Sequence, residues 1–480
     1  MTKQSAAILA SVLAIVHIVL ACIYAGSTPY RTAGMLLSQR DPTTGAYQRV
    51  PDIGAPDERQ HANYAMKLVR GEGFPVLDPK DPELIENYQA HQPPLYYLIE
   101  AGWVKLLGVD LQSPSAGFQA RFPNALIGAL TVLGTFFLGL WAFQRSDVGL
   151  VAASFVALLP MNAALSGALS NDPLLYCLCT WSLANIAKGC VEGWCMGIAL
   201  RVGLMVGLAI LTKTTAIALL PILLICLFIG PNRPGLKHVA VCALVLALVA
   251  APWLVRNQSL YGDPLAISAF NEAFKNSPSK DLITGIAELQ NPGKDPNLAY
   301  WTDWVGWWTA RSFFGVFGYM DVFLNERGTS ATGPSAPNSL YRMLLAMGVL
   351  TMIIWLLALR NPEWSVHRRM HWLLGIFLAV VVLLFLRFNA QYFQGQARYL
   401  FPAIGVIGIG VAIALLHLVR GKWMAAIAVL GFVLGTINVY ALARLPSEFA
   451  RRTTFVMSVL QTDLDRSDVL VGNDAKDARV

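Results

Sequence analysis

Two acidic residues, Asp57 and Asp172, stand beside apolar segments where charge is otherwise scarce. Four cations, Lys213, Arg256, Arg311 and Arg398, occupy the same kind of position at the ends of greasy stretches. A carboxylate at such a place can take a proton from a hydroxyl. A lysine or a bidentate arginine can hold an anion such as a phosphate. Ionisable groups this close to a bilayer cost free energy unless they are paired or used. The richest stretch runs from Pro56 to Tyr97. It opens Pro56-Asp57-Glu58-Arg59-Gln60-His61 and closes His91-Gln92-Pro93-Pro94-Leu95-Tyr96-Tyr97.

Each of these residues also has a plainer reading. Asp57 and Glu58 precede an amphipathic helix over Arg59 to Arg70, and acids there complement the helix dipole. Asp172 follows Ser170-Asn171 and precedes Pro173, which is a common way to start a helix. Lys213 can snorkel to water, and the arginines can anchor the interface. A lone histidine such as His91 is more often packed than catalytic or metal-bound. Trp301, Trp304, Trp307 and Trp308 read first as an aromatic belt.

The elements that must position these groups are membrane helices. Of 480 residues 55% are hydrophobic and only 14% charged, against roughly 25% charged in a soluble domain. Apolar blocks long enough to cross a hydrocarbon core of roughly 30 Å recur along the chain. The expected class is an all-α polytopic membrane protein with about 11 spans. These fall near 6–26, 122–143, 147–164, 173–189, 196–211, 214–230, 237–255, 341–359, 370–387, 399–418 and 422–442. The first reads as a retained signal anchor. Leu95 to Val109 is short, contains Glu100 and Lys105, and reads as an interfacial helix rather than a span.

With that segment left out, the short loops holding Arg145, Lys188, Arg233, Arg360 and Arg420 share one face with Lys3. The positive-inside rule makes that face cytoplasmic. The long loops 27–121 and 256–340 then lie outside, with interfacial helices in the first. This gives a transmembrane unit over 1–443 and an extracytoplasmic tail over 444–480. The expected location is the plasma (inner) membrane, with the N-terminus cytoplasmic. The net charge of +7 belongs to the inner loops and implies no nucleic acid. All seven cysteines lie in apolar runs or at their ends, which speaks against a disulfide framework. No glycine loop of the nucleotide-cradling type is present.

The chain resembles the polyprenyl-phosphate-dependent glycosyltransferases of the integral-membrane class. These include the protein O-mannosyltransferases and the aminoarabinose transferase acting on lipid A. The matching pieces are Asp57-Glu58, the run Gln92-Pro93-Pro94-Leu95-Tyr96-Tyr97, and Arg121-Phe122-Pro123-Asn124-Ala125-Leu126. Asp172, Thr212-Lys213 and Arg398-Tyr399 complete the set. The resemblance implies sugar transfer at the outer face to a lipid, polysaccharide or protein acceptor. It maps the family's catalytic aspartate to Asp57, a second outer acid to Asp172 and the lysine on the carrier phosphate to Lys213. From their own types and positions, Glu58 joins the catalytic candidates, Arg256, Arg311 and Arg398 join Lys213 as donor-phosphate binders, and His91, Gln92 and Tyr96 are candidates for lining the pocket. A divalent metal is left open as cofactor, with Asp57, His91 and Asp172 as candidate ligands. Aminoarabinose transferases carry a Glu-Lys pair where this chain has His91-Gln92, so metal use and acceptor do not carry over. A transporter or flippase of a lipid-linked precursor, and a non-catalytic envelope scaffold, are the competing expectations.

Overall fold

The computed structural model describes residues 2–40, 46–229, 232–275, 277–290, 292–324 and 339–477. Within the two long loops, 41–45 and 325–338 lie outside the described residues. Helices dominate, and two short antiparallel strand pairs, at 34–50 and 316–323, are the only sheets among the described residues. Eight helices are long and apolar enough to cross a membrane: Lys3–Ser27, Pro114–Phe143, Asp172–Glu192, Leu236–Tyr261, Ser339–Ala358, Arg368–Asn389, Ala397–Leu418 and Trp423–Phe455. They fall on eight of the eleven expected spans.

The other three expected spans depart from the simple rod. The span at 147–164 is two helices, Ser146–Leu158 and Pro160–Ser166, bent by 67°. Proline forces its predecessor out of helical geometry, and Leu159 sits at ψ 115. Met196–Ile210 has 15 residues, about 22 Å of helix. It is followed by the apolar segment Thr214–Ile225, which begins as a 3₁₀ turn. Met196–Ile210 packs tightly because Gly203 and Gly207 let the Leu236–Tyr261 helix come close. A Cβ on Gly203 would lie 2.5 Å from the Cys242 carbonyl oxygen. Small residues four apart are the usual device for such packing in a bilayer.

The first loop is built over the ends of these helices. It carries the helices Glu58–Val69 and Leu95–Leu107, matching the expected interfacial elements. One buried arginine fastens it. Arg121, in the Pro114–Phe143 helix, makes a two-pronged bond to Glu58: Nε to Oε1 at 2.7 Å and Nη2 to Oε2 at 2.6 Å. Its remaining N–H groups go to the carbonyls of Ala25, Thr28 and Pro29, each at 2.7 Å. Five donors meet five acceptors, the full capacity of a guanidinium. Glu58 Oε1 also accepts the Leu169 amide at 2.8 Å. The first helix, the second long helix, the first loop and the 168–172 turn therefore meet at one ion pair.

Breaking a buried pair by removing one partner leaves an uncompensated charge. Arg121→Met should thus lower the stability of the purified protein by about 3–5 kcal/mol, read as a fall in the thermal midpoint. Glu58→Leu added to Arg121→Met should recover part of the loss.

Candidate functional site

Asp57 precedes the Glu58–Val69 helix in a left-handed backbone conformation, φ 64 and ψ 1. Its carbonyl accepts the Gln60 and His61 amides at 3.1 and 3.0 Å, so the backbone starts the helix. Its carboxylate makes no capping bond. Instead Oδ2 accepts from Arg398 Nη2 at 2.8 Å, and Oδ1 accepts from the Tyr88 hydroxyl at 2.5 Å. A non-glycine residue held at positive φ stores strain, which the surrounding structure must over-determine. Here the Glu58 clamp one residue on supplies that constraint.

Asp172 opens the Asp172–Glu192 helix, and it too leaves the helix end uncapped. Its Oδ1 accepts from Lys213 Nζ at 2.6 Å. Its Oδ2 lies 3.8 Å from Arg398 Nη1. Arg398 therefore stands between two carboxylates, and Lys213 closes the row from the other side. Two acids and two bases balance in charge. Asp172 is 2% exposed and Arg398 6% exposed, so the balance is struck away from bulk water. Asp172 Oδ2, Arg398 Nε and Asn171 Oδ1 are buried without a hydrogen-bond partner among the described residues. The cluster thus keeps polar capacity that its own members do not use.

Tyrosines and amides wall the cluster. The Tyr399 ring lies 5.1 Å from the Arg398 guanidinium carbon and 5.7 Å from Lys213 Nζ. Tyr176, one helical turn after Asp172, donates to the Arg398 carbonyl at 2.8 Å. Asn171 Nδ2 donates to Gln92 Oε1 and to the Thr212 carbonyl, both at 3.3 Å. The Leu95 amide reaches the Leu211 carbonyl at 2.9 Å, so the double-proline run is tied to the Lys213 turn. His61, one turn after Asp57, has Nδ1 2.8 Å from the Tyr97 hydroxyl.

Burial would push the Asp57 carboxyl up. Arg398 and then the Tyr88 hydroxyl outweigh it and hold the pKa at about 2. Burial raises the Tyr88 hydroxyl well above its ordinary range, and Asp57 adds to this, so Tyr88 stays protonated and donates. Burial lowers His61 to about 3 and His91 to about 4. Both imidazoles are neutral at pH 7.

The structure brings together Asp57, Asp172, Lys213 and Arg398, with Gln92 at the edge. It does not bring in the other sequence candidates as direct members. Glu58 is 1% exposed and committed to Arg121. Arg256 donates to the Phe74 and Pro75 carbonyls at 3.2 and 2.9 Å and lies over Trp253, pinning the first loop. Arg311 is buried among Trp307, Trp308 and Phe323, so Trp307 and Trp308 form a box for a cation rather than an open belt. Tyr96 receives the Asn124 amide at 3.2 Å and belongs to the supporting wall. His91 has Nδ1 2.7 Å from the Tyr88 carbonyl and faces Phe270, which steadies the segment carrying Tyr88.

Asp57, His91 and Asp172 are not gathered as a ligand set in this arrangement. Asp57 and Asp172 are neutralised by cations and His91 Nδ1 is on a carbonyl. Among the described residues no three His, Cys, Asp or Glu side chains gather as a ligand set. Sequence reasoning missed Tyr88, Asn171 and Tyr176 as neighbours of the cluster. Tyr176 had a signal, its four-residue spacing from Asp172. Tyr88 had none, being 31 residues from Asp57.

Comparison with known proteins bears on this arrangement. Residues 91–255 match the family described as dolichyl-phosphate-mannose-protein mannosyltransferase. That match contains Asp172 and Lys213, while Asp57 and Arg398 lie outside it. No curated protein matches the chain in sequence. Among solved structures, the Archaeoglobus fulgidus oligosaccharyltransferase tethered with an acceptor peptide aligns with a TM-score of 0.52. It shares 14% identity over 93% of this chain and 55% of that one. The oligosaccharyltransferase of the same organism in complex with an inhibitory peptide and a dolichol-phosphate aligns at 0.50, with 15% identity over 90% of this chain and 55% of that one. ArnT from Cupriavidus metallidurans bound to undecaprenyl phosphate aligns at 0.37, with 18% identity over 87% of this chain and 78% of that one. The chain spans about half the length of the oligosaccharyltransferases. It shares the helical fold of the two oligosaccharyltransferase structures, and the family match covers residues 91–255 of it.

Removing a hydrogen bond from a charged group costs about 1.5–3 kcal/mol, and one pKa unit corresponds to about 1.4 kcal/mol. Tyr88→Phe should accordingly raise the Asp57 pKa by about one to two units. Carboxyl-labelled NMR titration of the purified protein would read this directly.

Proposed function

We propose that this protein moves a sugar from a polyprenyl-phosphate carrier to an acceptor hydroxyl at the outer face of the plasma membrane, with inversion at the anomeric carbon. The acceptor is a lipid, a polysaccharide or a protein. The observation that carries the proposal is the position of Arg398, between Asp57 and Asp172 and beside Lys213, at the ends of apolar helices. A phosphate on a lipid carrier reaches that depth, and a paired arginine and lysine suit it.

Before the carrier arrives, both cations are satisfied by carboxylates. The carrier phosphate is a competing anion. As Arg398 turns to the phosphate, Asp57 loses its strongest partner and its pKa rises from about 2. The carboxylate then becomes a better base. It takes the acceptor hydroxyl proton as the acceptor oxygen attacks the anomeric carbon. The bond from that carbon to the phosphate oxygen breaks, and its electron pair stays on the phosphate. Arg398 and Lys213 stabilise the charge that gathers there. Asp172 holds the Lys213 ammonium in place throughout. A sugar phosphate is already activated, so no nucleotide enters the reaction.

Asp57→Asn should reduce transfer from a radiolabelled polyprenyl-phosphate sugar by about 10²–10⁴-fold, while the protein stays folded with a smaller fall in thermal midpoint than Arg121→Met. Asparagine tolerates the left-handed backbone, and Arg398 keeps Asp172 as a carboxylate neighbour. Near-normal transfer by this variant would remove Asp57 from the role.

The proposed exchange also has a pH signature. The profile of kcat/KM reports the free protein, that of kcat the donor complex. With Asp57 held at about 2 in the free protein, kcat/KM should keep its base form down to very acid pH. The kcat profile should lose activity at a higher pH, because Arg398 has left the carboxylate. Coincident acid limbs in the two profiles would show that Arg398 does not change partners.

A further inference from the structure

The far end of the same helices carries a second polar site. A cavity of about 520 Å³ lies at the start of the Arg368–Asn389 helix. Its polar side is His367, Arg368 and Arg369. Its apolar side includes Ala142, Val191 and Met370. Val191 is one residue from the end of the 21-residue helix that begins at Asp172. Such a helix is about 30 Å long, the thickness of a hydrocarbon core. The cavity and the carboxylate cluster therefore lie on opposite membrane faces.

We infer that this cavity binds the phosphate headgroup of an anionic phospholipid. Four features on the page converge on that ligand. Neighbouring Arg145 is already neutralised by Asp147 and Glu363, but Arg368 has no carboxylate partner among the described residues. The first turn of a helix adds N–H groups without intrahelical acceptors and the positive end of its dipole. Trp372, one turn further on, is 58% exposed, as a side chain at the headgroup level is. The helix face that carries Trp372 continues through half-buried Ile376 and exposed Ala379, so an acyl chain attached to the headgroup has an apolar surface to lie on and a soluble anion gains nothing from it. Basic pockets between membrane helices are known to select anionic headgroups. The inference is independent of the transfer chemistry at the other face.

The test uses the full chain purified in a neutral detergent. Thermal midpoints are measured with added phosphatidylglycerol, phosphatidylcholine or inorganic phosphate. Phosphatidylglycerol should raise the midpoint and the other two should not. The rise should disappear in Arg368→Gln and persist in Arg360→Gln, which removes an equal charge outside the cavity. No rise, an equal rise with phosphatidylcholine, or a rise that survives Arg368→Gln together with Arg369→Gln would overturn the inference. An equal rise with inorganic phosphate would overturn it in favour of a soluble-anion site. Should the variants not fold, native mass spectrometry of the parent protein decides: preferential retention of one phosphatidylglycerol supports the site, and equal retention of the two lipids sinks it.

Discussion

The five-donor clamp of Arg121 is the constraint on which the rest of the architecture depends. A guanidinium buried at 1% exposure is tolerable only if its charge and every N–H are matched. Here the matching partners come from two stretches remote from Arg121 in sequence: the Glu58 carboxylate, and the carbonyls of Ala25, Thr28 and Pro29 at the end of the first helix. Satisfying one side chain therefore fixes where the first helix stops, where the first loop returns and how the Pro114–Phe143 helix meets both. Asp57 is the immediate neighbour of Glu58, so the same clamp sets its backbone. The carboxylate nearest the rigid point is the one that reaches out to Arg398.

The cluster that results is neutral as a whole and polarised within. Each carboxylate has a strong cation and each cation has a carboxylate, yet polar atoms on Asp172, Asn171 and Arg398 remain without hydrogen-bond partners among the described residues. Such an arrangement is stable alone but can exchange. A second anion can displace a carboxylate from Arg398 without leaving a bare charge, because the acid released can take a proton. That property distinguishes the Asp57 and Arg398 pair from the Glu58 and Arg121 pair. The second is enclosed on all sides and has no room to change partners.

Much of this was legible in the sequence. Asp57, Asp172, Lys213 and Arg398 stood out because a charge at the end of an apolar run needs a reason. The helical class and most spans followed from apolar run length. Arg256 and Arg311 carried the same mark but are used differently, one on loop carbonyls and one inside an aromatic box. Run length and end position cannot separate these outcomes, since the partner is chosen by packing between remote segments. Glu58 misled for a related reason: it is adjacent to Asp57 in sequence but pairs with Arg121, while Asp57 pairs with Arg398. Pro160 was visible as a residue, but the 67° bend it marks depends on how the two halves pack.

The Met196–Ile210 helix carries a consequence for the lipid around it. Met196, Leu200 and Leu204 are exposed along one face, so this helix meets the bilayer directly. It is about 22 Å long, and Arg201 is exposed near its start, which shortens the apolar stretch again. A hydrocarbon layer of roughly 30 Å is thicker than this helix is long, a mismatch that local thinning of the bilayer relieves. The helix leads straight to Lys213. Wherever the bilayer thins to meet this helix, headgroups come closer to Lys213 and Arg398 without any movement of the two cations.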